Sequence, residues 1–449
     1  MTLAPDMAPA GTPAPGKLTD LFQLGLDAPI CLTWELTYAC NLSCVHCLSS
    51  SGRRDPRELS TAECKAVIDT LEHMQVFYVN IGGGEPTVRP DFWELVDYAT
   101  EHHVGVKFST NGVKLDAAAA ARLAASDYVD VQISLDGATR EVNDAVRGPG
   151  SFDTAMRAMA NLADAGFRGF KLSVVMTRQN IPQIDQFKAI ADRFGAQLRL
   201  TRLRPSGRGA DVWDELHPLP AQQRELYDWL TGHGEEVLTG DSFFHLSAFG
   251  GALPGLNLCG AGRVVCLIDP VGDVYACPFA IHENFLAGNV RAPGGFEGVW
   301  KTSELFADLR KPDTGGACKS CGFYDSCRGG CMAAKFFTGL PLDGPDPECV
   351  QGYGETALAS VAASASAGTG LPVPRPSVDH SHRTGPAIRT GPAIRTGPAG
   401  RGGTGRGGAV PVTIGPRPLS PGRPLSPSRP PSHDCDESPL AGFDARPDA

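Results

Sequence analysis

The sequence has no run of 18 apolar residues, so no segment reads as a membrane-spanning helix. Its opening, Met-Thr-Leu-Ala-Pro, has neither the basic start nor the apolar stretch of a secretory signal. Positive charge is in deficit. The 40 Lys and Arg stand against 50 Asp and Glu, and a net charge of -10 argues against a general nucleic-acid binder. The expected setting is the cytoplasm, with no membrane and no nucleic acid as partner. In that reducing compartment a disulfide framework is disfavoured, so the 14 cysteines are expected to serve as metal ligands.

What is present is an ordinary globular composition, 42% hydrophobic and 20% charged, over 449 residues. Apolar, β-rich runs recur at 30–36, 76–81, 104–108, 129–135, 170–176 and 197–203. Amphipathic stretches at 61–74, 91–102, 116–125, 152–165 and 184–194 alternate with them. Six such units predict an α/β fold, a partial (β/α)6 TIM-like barrel of parallel strands joined by right-handed crossovers. Chemistry in such sheets gathers at the C-terminal strand ends.

The expected organisation is a flexible segment over 1–29, a core over 30–215 and a linker helix region over 216–250. A small cysteine-rich domain follows over 251–355, then a disordered Arg/Pro/Gly-rich tail over 360–449. Within the tail, Arg-Thr-Gly-Pro-Ala-Ile occurs at 383–388 and again at 389–394. Residues 368–449 hold ten Arg, no Lys and six acidic residues, a charge of +4, which leaves -14 on residues 1–367.

Cys40, Cys44 and Cys47 have the spacing C-x3-C-x2-C directly after the first strand. Three thiolates on one tight loop match three irons of a 4Fe–4S cube, leaving the fourth iron open to a small chelating molecule. A zinc site is the bland alternative, but no fourth thiolate or paired His lies nearby. The second strand ends in Gly82-Gly83-Gly84-Glu85-Pro86, where backbone can approach a ligand closely and Glu85 offers a carboxylate to a cation.

These motifs, with Ser109-Thr-Asn-Gly112 and Ser134-Leu-Asp136-Gly137 after the third and fourth strands, resemble the radical S-adenosylmethionine (SAM) superfamily. The resemblance implies that the amine and carboxylate of SAM chelate the open iron. It places Gly83, Gly84 and Glu85 at the amine, Ser134 and Asp136 on the ribose or carboxylate side, and His46 near adenine. Arg147 and Leu203 are further SAM contacts by the same likeness. Reductive cleavage of SAM is implied to yield a 5′-deoxyadenosyl radical that takes hydrogen from substrate.

The second cysteine group, Cys259, Cys277, Cys318, Cys321, Cys327, Cys331 and Cys349, resembles the SPASM domain with its two auxiliary 4Fe–4S clusters. By that likeness Cys318, Cys321, Cys327 and Cys349 hold one cluster and Cys259, Cys277 and Cys331 the other. Cys266 is a candidate fourth ligand, and an open iron site is the alternative. A zinc ribbon at Cys318 to Cys331 is the bland reading. Cys31, Cys64 and Cys435 read as non-ligands, Cys31 as a buried strand residue.

The strings Cys31-Leu-Thr-Trp-Glu-Leu-Thr-Tyr-Ala-Cys40 and His102-His-Val-Gly-Val-Lys-Phe-Ser-Thr-Asn-Gly112 resemble the mycofactocin maturases within that superfamily. The resemblance implies a small precursor peptide ending in Val-Tyr. Its C-terminal Tyr would undergo oxidative decarboxylation, and a crosslink to the penultimate Val would then form a lactam. An external electron donor is implied. Fewer than 30 residues precede the barrel, too few for the N-terminal peptide-recognition domain of many relatives, so a separate small recognition protein is expected. Maturation of a sulfatase, a quinone-cofactor precursor or a thioether peptide remains the alternative, as does a SAM-free iron–sulfur electron carrier.

Overall fold

The computed structural model describes residues 25–366 except 240–242, 252, 254–258 and 312–315, together with Pro374. Strand β1 (Cys31–Thr37) is followed by helix α1 (Thr61–His73), β2 (Tyr78–Gly83), α2 (Phe92–Glu101), β3 (Gly105–Thr110), α3 (Ala117–Ala124) and β4 (Val129–Ser134). Two helices, α4 (Arg140–Arg147) and α5 (Ser151–Asp164), precede β5 (Lys171–Met176), α6 (Ile184–Phe194) and β6 (Gln197–Arg202). Strands β1 to β6 lie side by side in chain order, all parallel, as the alternating pattern predicts. Between β1 and β6, α4 is the helix that this pattern does not foretell.

Local chemistry sets the helix ends. Ser60 Oγ accepts the Glu63 amide while Glu63 Oε2 accepts the Ser60 amide, a reciprocal cap on α1. Asp116 accepts the Ala119 amide at the start of α3, and Gly195, at φ 66°, closes α6.

The register separates two faces. Leu32, Val79, Val106 and Val129 pair across β1 to β4, as do Trp34, Ile81, Phe108 and Val131, and these rows are buried. The intervening positions are polar: Thr33 pairs with Asn80, Asn80 with Lys107, and Ser134 with Ser173. Polar residues from both β1 and β6 line one cavity, so the sheet curls around it. The apolar rows supply the core, and the polar rows face the site.

The sheet does not stop at β6. Residues 220–233 form a helix within the expected linker helix region 216–250, ended by Gly234 at φ 53°, and β7 (Val237–Leu238) then returns to pair with β6. At the opposite edge β8 (Val265–Ile268) pairs parallel to β1, and β9 (Asp273–Tyr275) and β10 (Leu286–Asn289) extend the sheet antiparallel. The cysteine-rich segment is therefore continuous with the core sheet. A final helix, Tyr353–Ser366, runs past residue 360, where the tail is expected to begin. The repeats, Cys435 and residues 1–24 lie outside the described residues, as does the side chain of Cys31. Among the described residues no helix is long and apolar enough to cross a membrane.

Candidate active site

Strand β1 delivers the chain through Thr37, Tyr38 and Ala39 into the three-cysteine loop. The Cys40 amide donates to the Gly52 carbonyl at 2.9 Å and the Val45 amide to the Val146 carbonyl at 3.0 Å, fixing both flanks. Cys40, Cys44 and Cys47 all line a cavity of about 370 Å³, and none is in a disulfide. Burial pushes the Cys40 thiol up to about 12; the Leu42 amide opposes this, and Cys47 and Cys44 push the same way. Burial also raises Cys44, against the pull of Arg147. Binding of a metal by Cys40 and Cys44 would displace these thiol protons.

Sequence reasoning misses the segment that clamps this loop. Arg208 donates its amide to the Cys47 carbonyl, Nε to the Cys44 carbonyl and Nη1 to the Ser51 carbonyl, each at 2.9 Å. Gly207 adopts φ 57°, and a Cβ there would meet the Leu48 carbonyl oxygen at 2.2 Å.

The glycine loop serves packing first. The Gly84 and Glu85 amides donate to the Thr37 and Ala39 carbonyls at 2.8 Å. A Cβ on Gly84 would lie 2.0 Å from the Ala39 oxygen, whereas one on Gly82 would meet nothing within 4 Å. Glu85 is buried, with Oε1 accepting from the Thr87 and Thr110 hydroxyls at 2.5 and 2.7 Å and Oε2 from the Asn111 amide at 2.7 Å. Burial raises its carboxyl despite these donors. Gly83, Gly84 and Glu85 all line the cavity.

His46, Ser134, Arg147 and Leu203 line the cavity too; Asp136 does not. Asp136 sits behind the wall, fully buried, with Oδ2 2.8 Å from His46 Nε2 and 2.6 Å from Arg147 Nε, and Oδ1 accepting the Val175 amide at 2.7 Å. Burial would raise its carboxyl, but Arg147, His46 and that amide outweigh it and hold the group below the usual carboxylate range. Asn143 supports this corner by accepting the Asp136 amide at 2.9 Å. Gly137 is required because a Cβ there would meet the Asn143 nitrogen at 2.1 Å. His46 Nδ1 is buried with no hydrogen-bond partner among the described residues. One ring nitrogen therefore remains for a ligand.

The C-terminal cysteines fall into two groups. Cys277 is pushed well above the usual thiol range by burial and then by Cys259 and Cys331. Cys327 is raised to about 12 by burial, Asp346, Cys349 and Cys318; Cys318 is raised by burial and by Cys349 and Cys321. Cys266 joins neither. Its pairing with Leu32 in β8 puts it in the apolar row, buried in the core, where Arg310 is the charge that acts on it. Cys64 is likewise buried, on α1. Cys277 also lines the cavity that reaches the three-cysteine loop.

A buried ion network, also absent from the sequence reading, ties β6 to this segment. Arg202 donates Nη1 to Asp346 Oδ2 at 2.9 Å and pairs with Glu348, while Asp346 Oδ2 accepts the Cys331 amide at 2.7 Å.

Comparison with known proteins agrees with this geometry. Residues 34–190 match the Radical SAM superfamily, and residues 259–322 match SPASM, an iron-sulfur cluster-binding domain. These two matches define the class: an enzyme whose cofactors are SAM and 4Fe–4S clusters. The chain is 72% identical to mycofactocin maturase MftC of Mycolicibacterium smegmatis, covering 82% of this chain and 92% of that one. It is 73% identical to the Mycobacterium ulcerans protein of the same name, covering 82% of this chain and 98% of that one. The chain belongs to the mycofactocin maturase family. Its fold is shared with Streptococcus suis SuiB bound to S-adenosylmethionine (TM-score 0.59, 19% identity, covering 72% of this chain and 78% of that one).

Proposed function

We propose that the chain matures a small precursor peptide ending in Val-Tyr by oxidative decarboxylation of the C-terminal Tyr, followed by a crosslink to the penultimate Val that forms a lactam. The observation that carries this reading is the 72% identity with mycofactocin maturase MftC across 92% of that relative. In support, one cavity touches both the three-cysteine loop and Cys277.

In this reading Cys40, Cys44 and Cys47 hold the SAM-binding cluster. Cys318, Cys321, Cys327 and Cys349 hold one auxiliary cluster, and Cys259, Cys277 and Cys331 the other, with Cys266 left in the core. When bound and reduced, the first cluster and SAM supply a carbon radical able to take a hydrogen atom from the peptide. The protein's own residues position and shield. Glu85 keeps an acceptor position on Oε2 for an ammonium group. Ser134 would face the ribose or carboxylate side of SAM and His46 the adenine, with Arg147 and Leu203 as further contacts. Asp136 acts through His46 and Arg147, fixing both from behind.

Decarboxylation with loss of two hydrogens is a net oxidation; one electron leaves with the abstracted hydrogen atom, and the auxiliary clusters that the C-terminal cysteines would hold provide the outlet for the other. A separate small protein presents the peptide and an external donor supplies reducing electrons, in the cytoplasm. The test is anaerobic incubation with SAM, reductant and a Val-Tyr-ending peptide, read by mass. Loss of roughly 46 Da, CO2 plus two hydrogens, is expected. An unchanged peptide mass alongside SAM cleavage would rule the reading out.

A further inference from the structure

Five arginines line the cavity: Arg147, Arg199, Arg202, Arg204 and Arg208. Three are committed. Arg147 pairs with Asp136, Arg202 with Asp346 and Glu348, and Arg208 with loop carbonyls. Arg199 and Arg204 differ, because neither has a carboxylate partner among the described residues; the Nε of each is also buried without a hydrogen-bond acceptor, as is that of Arg147. Arg204 is only 5% exposed. Its guanidinium makes a 3.5 Å contact to the Arg202 carbonyl and lies 3.7 Å from the centroid of Phe279, another wall residue. A stacked, planar guanidinium has its edge donors aimed and its side-chain freedom already reduced. Two guanidinium groups without a carboxylate partner on one cavity wall suit an anionic ligand.

Both come from one strand. Arg199 shares the cavity face of β6 with Thr201, and Arg204 follows directly beyond the strand end. The charge of Arg147 acts on Cys44, in the three-cysteine loop, and that of Arg204 acts on Cys277.

We propose that Arg199 and Arg204 form the receptor for the C-terminal carboxylate of the peptide substrate. This rests on the peptide reading above and adds the group that selects a free chain terminus. The terminal residue is thereby held between the three-cysteine loop and the Cys277 group. Peptides ending in an amide, or extended past the Tyr, leave the two guanidinium groups unpaired and are rejected.

The test uses the cluster-loaded enzyme with SAM present and labelled peptides ending in Val-Tyr, as the free acid and as the carboxamide. The wild-type protein is expected to bind the acid roughly ten- to hundredfold more tightly, the size of a charge-assisted fork. Arg204→Gln should abolish that preference, Arg199→Gln should reduce it, and Arg204→Lys should keep part of it. SAM affinity, measured by calorimetry, should not change in any of the three. An acid preference that survives in an Arg204→Gln protein with wild-type cluster absorbance would overturn the assignment. So would a fall in SAM affinity, which would give the pair to the SAM carboxylate instead. Equal binding of acid and amide by the wild type would sink the receptor while leaving peptide maturation standing. Binding of neither form would also overturn the receptor, while the peptide reading, in which a separate protein presents the substrate, is decided by the mass of the turnover product.

Discussion

Arg202 and Cys331 meet on a single oxygen: Asp346 Oδ2 accepts the Arg202 guanidinium at 2.9 Å and the Cys331 amide at 2.7 Å. The barrel and an auxiliary cysteine are thus coupled through one buried carboxylate. Arg202→Met leaves Asp346 and Glu348 as uncompensated buried acids, and we expect a stability loss of about 3–5 kcal/mol. Adding Asp346→Asn and Glu348→Gln should restore part of it. Anaerobic denaturant unfolding of the single and triple variants measures both effects.

The glycine loop offers a paired contrast. Gly84→Ala places a methyl 2.0 Å from the Ala39 oxygen, next to Cys40, whereas Gly82→Ala has nothing within 4 Å. If three cubes load, iron should fall from about twelve to about eight per chain in Gly84→Ala and stay near twelve in Gly82→Ala. Iron analysis after anaerobic reconstitution gives the answer.

Asp136 holds two cavity residues without entering the cavity itself. Asp136→Asn removes the charge facing Arg147 and the acceptor that orients His46. SAM affinity should drop at least about tenfold, the scale of a lost charge-assisted contact, with iron content unchanged. Loss of iron in parallel would mean that the residue supports the loop instead.

One acid gives a pH signature in stability. Burial raises the Asp269 carboxyl from 3.8 to about 7, opposed by the Tyr38 hydroxyl, which donates to it at 2.6 Å. The folded state favours the neutral acid. Its contribution is therefore complete below pH 3.8 and is lost as pH rises toward and through about 7. Between those values it should lower stability by up to about 1.4 kcal/mol per pH unit, a slope that Asp269→Asn should remove. Comparing the unfolding midpoints of both proteins at pH 5 and pH 7 tests this.

The six strands and their order could be read from the sequence because each depends on local pattern. Alternation defines the units, and glycine and asparagine punctuate them. Long-range pairing is what stayed hidden. Arg202 and Asp346 lie 144 residues apart, and no periodicity joins them. Cys266 has the right chemistry for a ligand, but the β1–β8 register sets it opposite Leu32 in the core. Asp136 follows a strand end that could face either way, and Asn143, Arg147 and Val175 turn it inward. Gly83 and Gly84 read as ligand-approach residues, yet contact with Thr37 and Ala39 is what first excludes a side chain.

The central claim is that the SAM radical acts on the terminal tyrosine of a peptide. Loss of CO2 from Cα with formation of an alkene requires one hydrogen from Cβ. Anaerobic turnover of a Val-Tyr-ending peptide dideuterated at that Cβ is therefore the most direct measurement. The account predicts one deuterium in the 5′-deoxyadenosine released, together with a lighter peptide. Unlabelled 5′-deoxyadenosine formed alongside converted peptide would contradict it.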